Sequence, residues 1–264
     1  MLAAPATVST MFRLLRITFL LYVLAFVGVG TVISAYESTD WDHPLLVHVY
    51  AVKGDRSVAV ENYVSTLRHD RFESVAAFIG KEALRHGVAL DSPIRFFIDP
   101  EPLDTIPTLA PNARYWQILA WSLRMRWLAF RLAWQSTQRS PDITLFAVYH
   151  DSGTTLALDG STALRRGLIA VAHLFADRQR AGSNDVVVAH ELLHTLGASD
   201  KYALDTNLPI YPQGYAEPAA KPRYPQQLTE VMAGRRPISP AEAAMPSELE
   251  AVVVGPLTAE EIGW

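Results

Sequence analysis

The chain has no cysteine in its 264 residues. That excludes disulfides, thiolate metal sites and any cysteine nucleophile. It leaves the redox compartment open. An excess of basic charge is also missing: the formal net charge is −4, so there is no electrostatic footprint for nucleic acid. Charged residues make up 19% and apolar residues 50%, a balance that fits neither a disordered chain nor a polytopic membrane protein. There is no internal repeat. The length suits one domain, built as two lobes, with an appendage.

Charge is absent from one stretch in particular. Residues 17–35 read ITFLLYVLAFVGVGTVISA, 19 apolar or small residues without a charged side chain. That is about enough helix to cross a ~30 Å hydrocarbon core. Arg13 and Arg16 precede the run, and no Lys or Arg follows until Lys53. The positive-inside bias puts residues 1–16 in the cytoplasm and everything after the span on the other side. A cleaved signal peptide is the rival reading. Its cleavage point after Ala35 would place Ile33 where a small residue is usual. The expectation is therefore a single-pass transmembrane signal anchor over 17–35, a polar linker over 36–44, and a folded domain over 45–264 on the non-cytoplasmic side, periplasmic or extracellular.

Within that domain, residues 45–53 (LLVHVYAVK) alternate and are β-rich, which predicts a strand. A helix is expected from Ser57 to about Leu67. Asp70 and Glu73 match a capping box, followed by Phe72, Val75, Ala76, Ile79 and Ala83 at helical spacing and Gly87 as a stop. Residues 93–99 predict a second strand. Residues 112–137 predict a long helix that carries four of the six tryptophans. Trp116, Leu119, Leu123, Trp127, Phe130 and Trp134 line one face of it; Ile118, Trp121, Met125, Leu128 and Leu132 line the opposite one. The favoured reading is a helix covering a sheet with its back under another element. The other reading is an outer face in contact with a bilayer. Three arginines argue against a second membrane span. Further strands are expected at 143–149, at 154–158 as a short edge, and at 167–175. A helix then starts with Ser183 or Asn184 as N-cap. The last part, 198–264, is rich in proline and tyrosine and reads as a loop-rich lobe. Near its end Thr258 and Glu261 match another capping box.

The helix after 183 contains the run VVVAHELLHTLGASDKY, and its polar residues need a reason. Positions i and i+4 share one helix face, so His190 and His194 can offer two imidazole nitrogens to one metal ion. Glu191 lies one step round. It cannot be a close ligand with them, but it can reach and activate a water bound to that metal. Gly197 tolerates the left-handed conformation of a helix stop. The chain can then turn back and bring Asp200 in as a third ligand. Two neutral imidazoles and a carboxylate leave one catalytic zinc with an open fourth position. Glu217 and Glu230, from the second lobe, are the alternative third ligands. Of the remaining histidines, His48, His150 and His173 read as packed or at a rim of strands, and His43, His69 and His86 as exposed.

The run from His190 through Gly197 to Asp200 resembles the long zinc signature of the metzincin clan of metalloproteases. The aspartate variant is similar to that of small secreted bacterial proteases of the snapalysin type. The resemblance implies an α+β fold. A mixed, mostly parallel sheet with helices forms the N-terminal lobe over 45–197, and a small loop-rich C-terminal lobe covers 198–264. It implies a methionine in a tight turn below the metal, for which Met232 is the candidate. Several metzincins carry a tyrosine two residues further on; here Gly234 stands there, and Tyr202 is the tyrosine nearest in sequence to the ligands. The final LTAEEIG resembles the closing helix of matrixin-like members. The specific similarity covers about a dozen residues. The expected function is a membrane-anchored zinc metalloendopeptidase acting on a protein or peptide substrate, with zinc-bound water activated by Glu191. The alternative is a zinc-stabilised envelope binding module without turnover.

Overall fold

The computed structural model describes residues 12–18, 21–22, 39–110, 112–136, 141–155, 158, 162–164 and 168–264. Residues 12–18 and 21–22 are helical and exposed. The rest of the expected 17–35 span lies outside the described residues, as do residues 36–38 of the expected 36–44 linker. The remainder of that linker is not a free connector, because Trp41 is buried in the domain core and its Nε1 donates to the Ile262 carbonyl at 2.8 Å. Among the described residues, no helix is long and apolar enough to cross a membrane.

Five strands form the central sheet: β1 (Leu45–Lys53), β2 (Ile94–Ile98), β3 (Ile143–His150), β4 (Thr162–Leu164) and β5 (Ile169–Phe175), in the order β2-β1-β3-β5-β4. All pairings are parallel except β4 with β5, which is antiparallel. The expected mixed, mostly parallel sheet is therefore present. Two helices, α1 (Val58–Ser65) and α2 (Glu73–Arg85), connect β1 to β2, and α3 (Tyr115–Gln135) connects β2 to β3. The parallel order requires such crossovers. Strand side chains alternate between two cores, as the pleat dictates. Val47, Val49 and Ala51 of β1 face a large core with α1, α2 and α4 (Ala181–Leu196). Tyr50 and Val52 face a smaller one closed by Trp121 and Met125 of α3. The helix α3 covers the sheet with the second of its two apolar faces, as expected. Its back, however, is exposed, with no element among the described residues over it.

Several expected local features yield to longer-range bonds. The edge strand is not at 154–158. Asp151 instead holds a turn there: its side chain accepts from the Gly153 amide and its carbonyl from the Thr155 amide. Residues 156 and 157 lie outside the described residues, and the edge is taken by β4. The Asp70–Glu73 box does not form, because Asp70 pairs with Arg68 and α2 starts without a side-chain cap. Neither Ser183 nor Asn184 caps α4. The helix is entered from a 3-10 turn at Arg178–Arg180 whose own cap is Asp177. Asn184 is buried, and it donates to the Phe175 carbonyl and accepts from the Phe175 amide. That two-way bond clamps α4 to the end of β5 and satisfies two backbone groups that burial would otherwise make costly. His86 is half-buried rather than exposed, with Nε2 donating to the Val254 carbonyl at 2.9 Å.

Beyond α4 regular structure is sparse, as the proline content predicts. Short strands β6 (Thr229–Glu230) and β9 (Val252–Val253) pair in parallel. Strands β7 (Arg236–Ser239) and β8 (Glu242–Ala244) form a hairpin, and α5 (Pro256–Glu261) closes the chain.

Candidate metal centre

Gly197 ends α4 with φ at 118°, in the left-handed region that glycine enters without a Cβ clash. The Gly197 amide bonds back to the His194 carbonyl and the Ala198 amide to the Leu193 carbonyl. This reverses the chain within three residues and carries Asp200 beneath the helix. Asp200 Oδ1 lies 3.0 Å from His194 Nε2 and 3.3 Å from His190 Nε2. The two Nε2 atoms are 3.0 Å apart. One atom from each of the three side chains thus forms a nearly equilateral triangle.

The protons decide what that triangle can hold. His190 Nδ1 lies 3.0 Å from the Val231 carbonyl, and His194 Nδ1 lies 2.8 Å from the Ala198 carbonyl. A carbonyl only accepts, so each Nδ1 carries hydrogen and donates. In the neutral ring this leaves a lone pair on each Nε2. Two lone pairs and a carboxylate oxygen then converge on one point. Protons relieve this poorly, since two Nε2 atoms at this distance cannot both carry a hydrogen aimed at the other. A cation relieves it fully. Zinc ligands at ~2.0–2.1 Å in a tetrahedron stand about 3.3–3.4 Å from one another, close to the observed edges. The donor set, two imidazoles and a carboxylate with both rings oriented by backbone carbonyls, is that of an open zinc site.

The same crowding appears in the titration of the groups. Burial works to raise the Asp200 carboxyl, but the hydrogen bonds that His190 and His194 can donate through Nε2 only when protonated prevail and hold it well below the usual carboxylate range. Burial works to lower His190, and the bond to Asp200 with the charge of Glu191 raises it instead.

Glu191 occupies the place its step round the helix implies. It is 4% exposed, and its Oε2 has no hydrogen-bond partner. Burial pushes its carboxyl up against the opposing pull of the two imidazoles. Its carboxylate can join the two imidazoles in a group whose donor atoms lie within 4.8 Å of one another. The Asp200 triangle is tighter, with edges of 3.0–3.3 Å, and is the better ligand set. Tyr202 stands beside it, its ring centroid 6.5 Å from that of His190. Burial first, then the charges of Asp200 and Glu191, raise its phenol, so it stays protonated and able to donate. A small hairpin holds it there through bonds between Ala203 and Leu208 and between Ile210 and Lys201. Met232 is fully buried in the 3-10 turn Val231–Ala233, whose Val231 carbonyl receives His190. Gly234 follows with φ at 64° and ends that turn. His190, Glu191, Tyr202 and Gly234 border a cleft of about 680 Å³, also lined by His173, Arg180 and Arg235.

Both alternative ligands are engaged elsewhere. Glu217 accepts from the Gln227 and Leu228 amides. Glu230 is buried and accepts from Ala233, Gly255 and Thr258. Its bond to Thr258 also explains why the expected Thr258–Glu261 capping box is absent. Glu261 instead reaches back across 62 residues to the turn that carries Asp200. It accepts from the Ser199 amide at 2.9 Å, the Ser199 hydroxyl at 2.6 Å and Lys201 Nζ at 2.6 Å. Lys201 is buried, and its amide bonds the Met232 carbonyl. Both neighbours of Asp200 are therefore tied down by one carboxylate. No local pattern announces this clasp; only a buried lysine next to the ligand hints at it. Outer partners of this kind typically contribute 10–100-fold to metal affinity. Glu261→Ala should therefore weaken zinc binding by about that factor and lower the melting temperature, as read by competition with a chromogenic chelator and by calorimetry. Unchanged zinc affinity in a folded variant would remove Glu261 from the site.

No protein-family model and no curated protein matches the chain. Among solved structures it is similar to a zinc-dependent peptidase from Methanocorpusculum labreanum, at 12% identity and a TM-score of 0.34, over 61% of this chain and 85% of that one. It is also similar to wild-type OgpA from Akkermansia muciniphila, at 13% identity and a TM-score of 0.38, over 83% of this chain and 60% of that one. At these values neither likeness carries the assignment of function, which rests on the atoms of the site.

Proposed function

We propose that the chain is a zinc metalloendopeptidase of metzincin type, with His190, His194 and Asp200 as ligands and Glu191 as the proton-transfer group. The observation that carries this reading is the convergence of three acceptor atoms within 3.0–3.3 Å, beside a buried carboxylate oxygen with no partner. A zinc ion held there would supply a Lewis acid for a scissile carbonyl and for the attacking water. Glu191 would take the proton from that water and hand it to the leaving amine. Burial raises its pKa above the usual carboxylate range, the direction that suits a group that must both accept and release a proton. Tyr202 would donate a hydrogen bond into the cleft, and the Met232 turn would fix the His190 ring from below. An extended peptide would add to the sheet at the outer edge of β4, its last strand among the described residues.

A binding module would need the ligands but not Glu191. Keeping a carboxylate at 4% exposure without a partner on Oε2 is costly and gives such a module nothing. The purified protein should contain one zinc per chain and cleave members of a peptide library, with cleavage lost to chelation and restored by zinc. Asp200→Ala should lower zinc affinity strongly. Wild-type zinc affinity in that variant would sink the ligand assignment. The anchoring part of the reading is separate: a reporter fused after Trp264 should read the non-cytoplasmic side, and a mature form beginning near Tyr36 would favour a cleaved signal.

A further inference from the structure

The outer face of α3 is an extended apolar surface that no described element covers. Trp116, Leu119, Leu123, Trp127, Phe130 and Trp134 are each between 52% and 80% exposed. At ~100° per residue they fall in one stripe about 80° wide, opposite the buried Trp121 and Met125. Ring contacts run along it, with Trp127 stacked 5.8 Å from Phe130 and Phe130 6.0 Å from Trp134. Six large side chains more than half exposed leave on the order of 700 Å² of apolar surface, beyond what a monomer ordinarily shows to water.

The charges bordering the stripe select its occupant. Arg124 and Arg131 project on one side of it, while the helix has no acidic residue. A second copy meeting it face to face would bring the same arginines against these, with no acid from either helix to pair with them. A bilayer with anionic headgroups satisfies both halves of the pattern. Tryptophan rings settle at the headgroup boundary, leucine and phenylalanine reach the acyl chains, and arginines meet phosphate. The geometry suits lying in the interface rather than spanning it, because the inner face of α3 already packs on the sheet. The uncharged run at 17–35 in the same chain would keep such a surface within reach.

We infer that the outer face of α3 docks on an anionic lipid surface, orienting the domain against the membrane. This stands independently of the peptidase reading. The absence of cysteine makes the test direct. Full-length chain carrying Leu123→Cys, labelled with an environment-sensitive fluorophore, is reconstituted in phosphatidylcholine vesicles containing phosphatidylglycerol. Emission should shift to the blue and lose most of its intensity to a lipid-borne nitroxide quencher. The same label at Leu204→Cys, an exposed position in the hairpin beside the cleft, should stay aqueous. Arg124→Glu with Arg131→Glu should lower occupancy of the docked state by roughly 10²-fold and return the Leu123 signal to the aqueous level. An aqueous signal at Leu123 in the wild-type background overturns the proposal. So does a blue shift without quenching, which means the face is covered by protein. Dependence of that shift on protein concentration would then point to a second copy, and independence to another segment of this chain.

Discussion

Replacing His194 by alanine should leave a folded chain that no longer holds zinc. The substitution removes one corner of the three-atom triangle and the bond from Nδ1 to the Ala198 carbonyl that helps the chain turn beneath the helix. Four-ligand zinc sites contribute ~10–16 kcal/mol in apparent binding, so one ligand carries roughly 3 kcal/mol, or on the order of 10²-fold in affinity. The loss of the oriented carbonyl partner adds to it. The helix itself should persist. His194 is only half-buried, while Leu192, Leu193 and Leu196 anchor the inner face of α4 in the core. The measurement is zinc per chain by mass spectrometry after dialysis against a zinc buffer, with circular dichroism to confirm the fold. Wild-type content near one and variant content near zero is the expected pair. Stoichiometric zinc in the variant would place the metal elsewhere.

Glu191→Gln should separate binding from turnover. The change preserves volume and removes a charge that makes no hydrogen bond through Oε2. His190, His194 and Asp200 keep their partners, so zinc should bind at close to the wild-type level. Proton transfer by a positioned carboxylate is worth about 10²–10⁴-fold, and peptide hydrolysis should fall by at least that factor. Stability in the zinc-free protein should move the other way. Burial raises the folded-state pKa of Glu191, so the folded chain holds its proton more tightly than the unfolded chain does. Ionisation above the unfolded pKa therefore works against folding at neutral pH, and the neutral amide removes that opposition. The zinc-free variant should melt at the same temperature or higher. A lower melting temperature together with lost zinc would mean that Glu191 serves structure, and the catalytic assignment would fail.

Much of the site is legible along the chain because it is local. His190, Glu191 and His194 are set by helical periodicity, which needs only that the stretch be a helix. Gly197 is readable because only glycine enters the left-handed region cheaply, and Asp200 follows from the turn that glycine makes. Strands β1, β2, β3 and β5 stand close to the stretches marked by β-branched and aromatic residues. In each case the information lies within about ten residues.

What the tertiary structure decided is where polar side chains spend their bonds. Asp70 with Glu73, and Thr258 with Glu261, have the spacing of capping boxes, yet neither box forms. Arg68 takes Asp70, Glu230 takes Thr258, and Ser199 with Lys201 takes Glu261. A local cap competes with any partner that folding brings closer or desolvates more fully, and partners 28 or 62 residues away leave no periodic trace. The same holds for Asn184, suited to a cap and used as a clamp on β5. The two faces of α3 are equally apolar on paper. Which one met the sheet, and which was left outward with its arginines, depended on the strand order β2-β1-β3-β5-β4. Helical periodicity reveals that a helix has two apolar faces, but burial is a property of the assembled layers, and only their packing could choose between them.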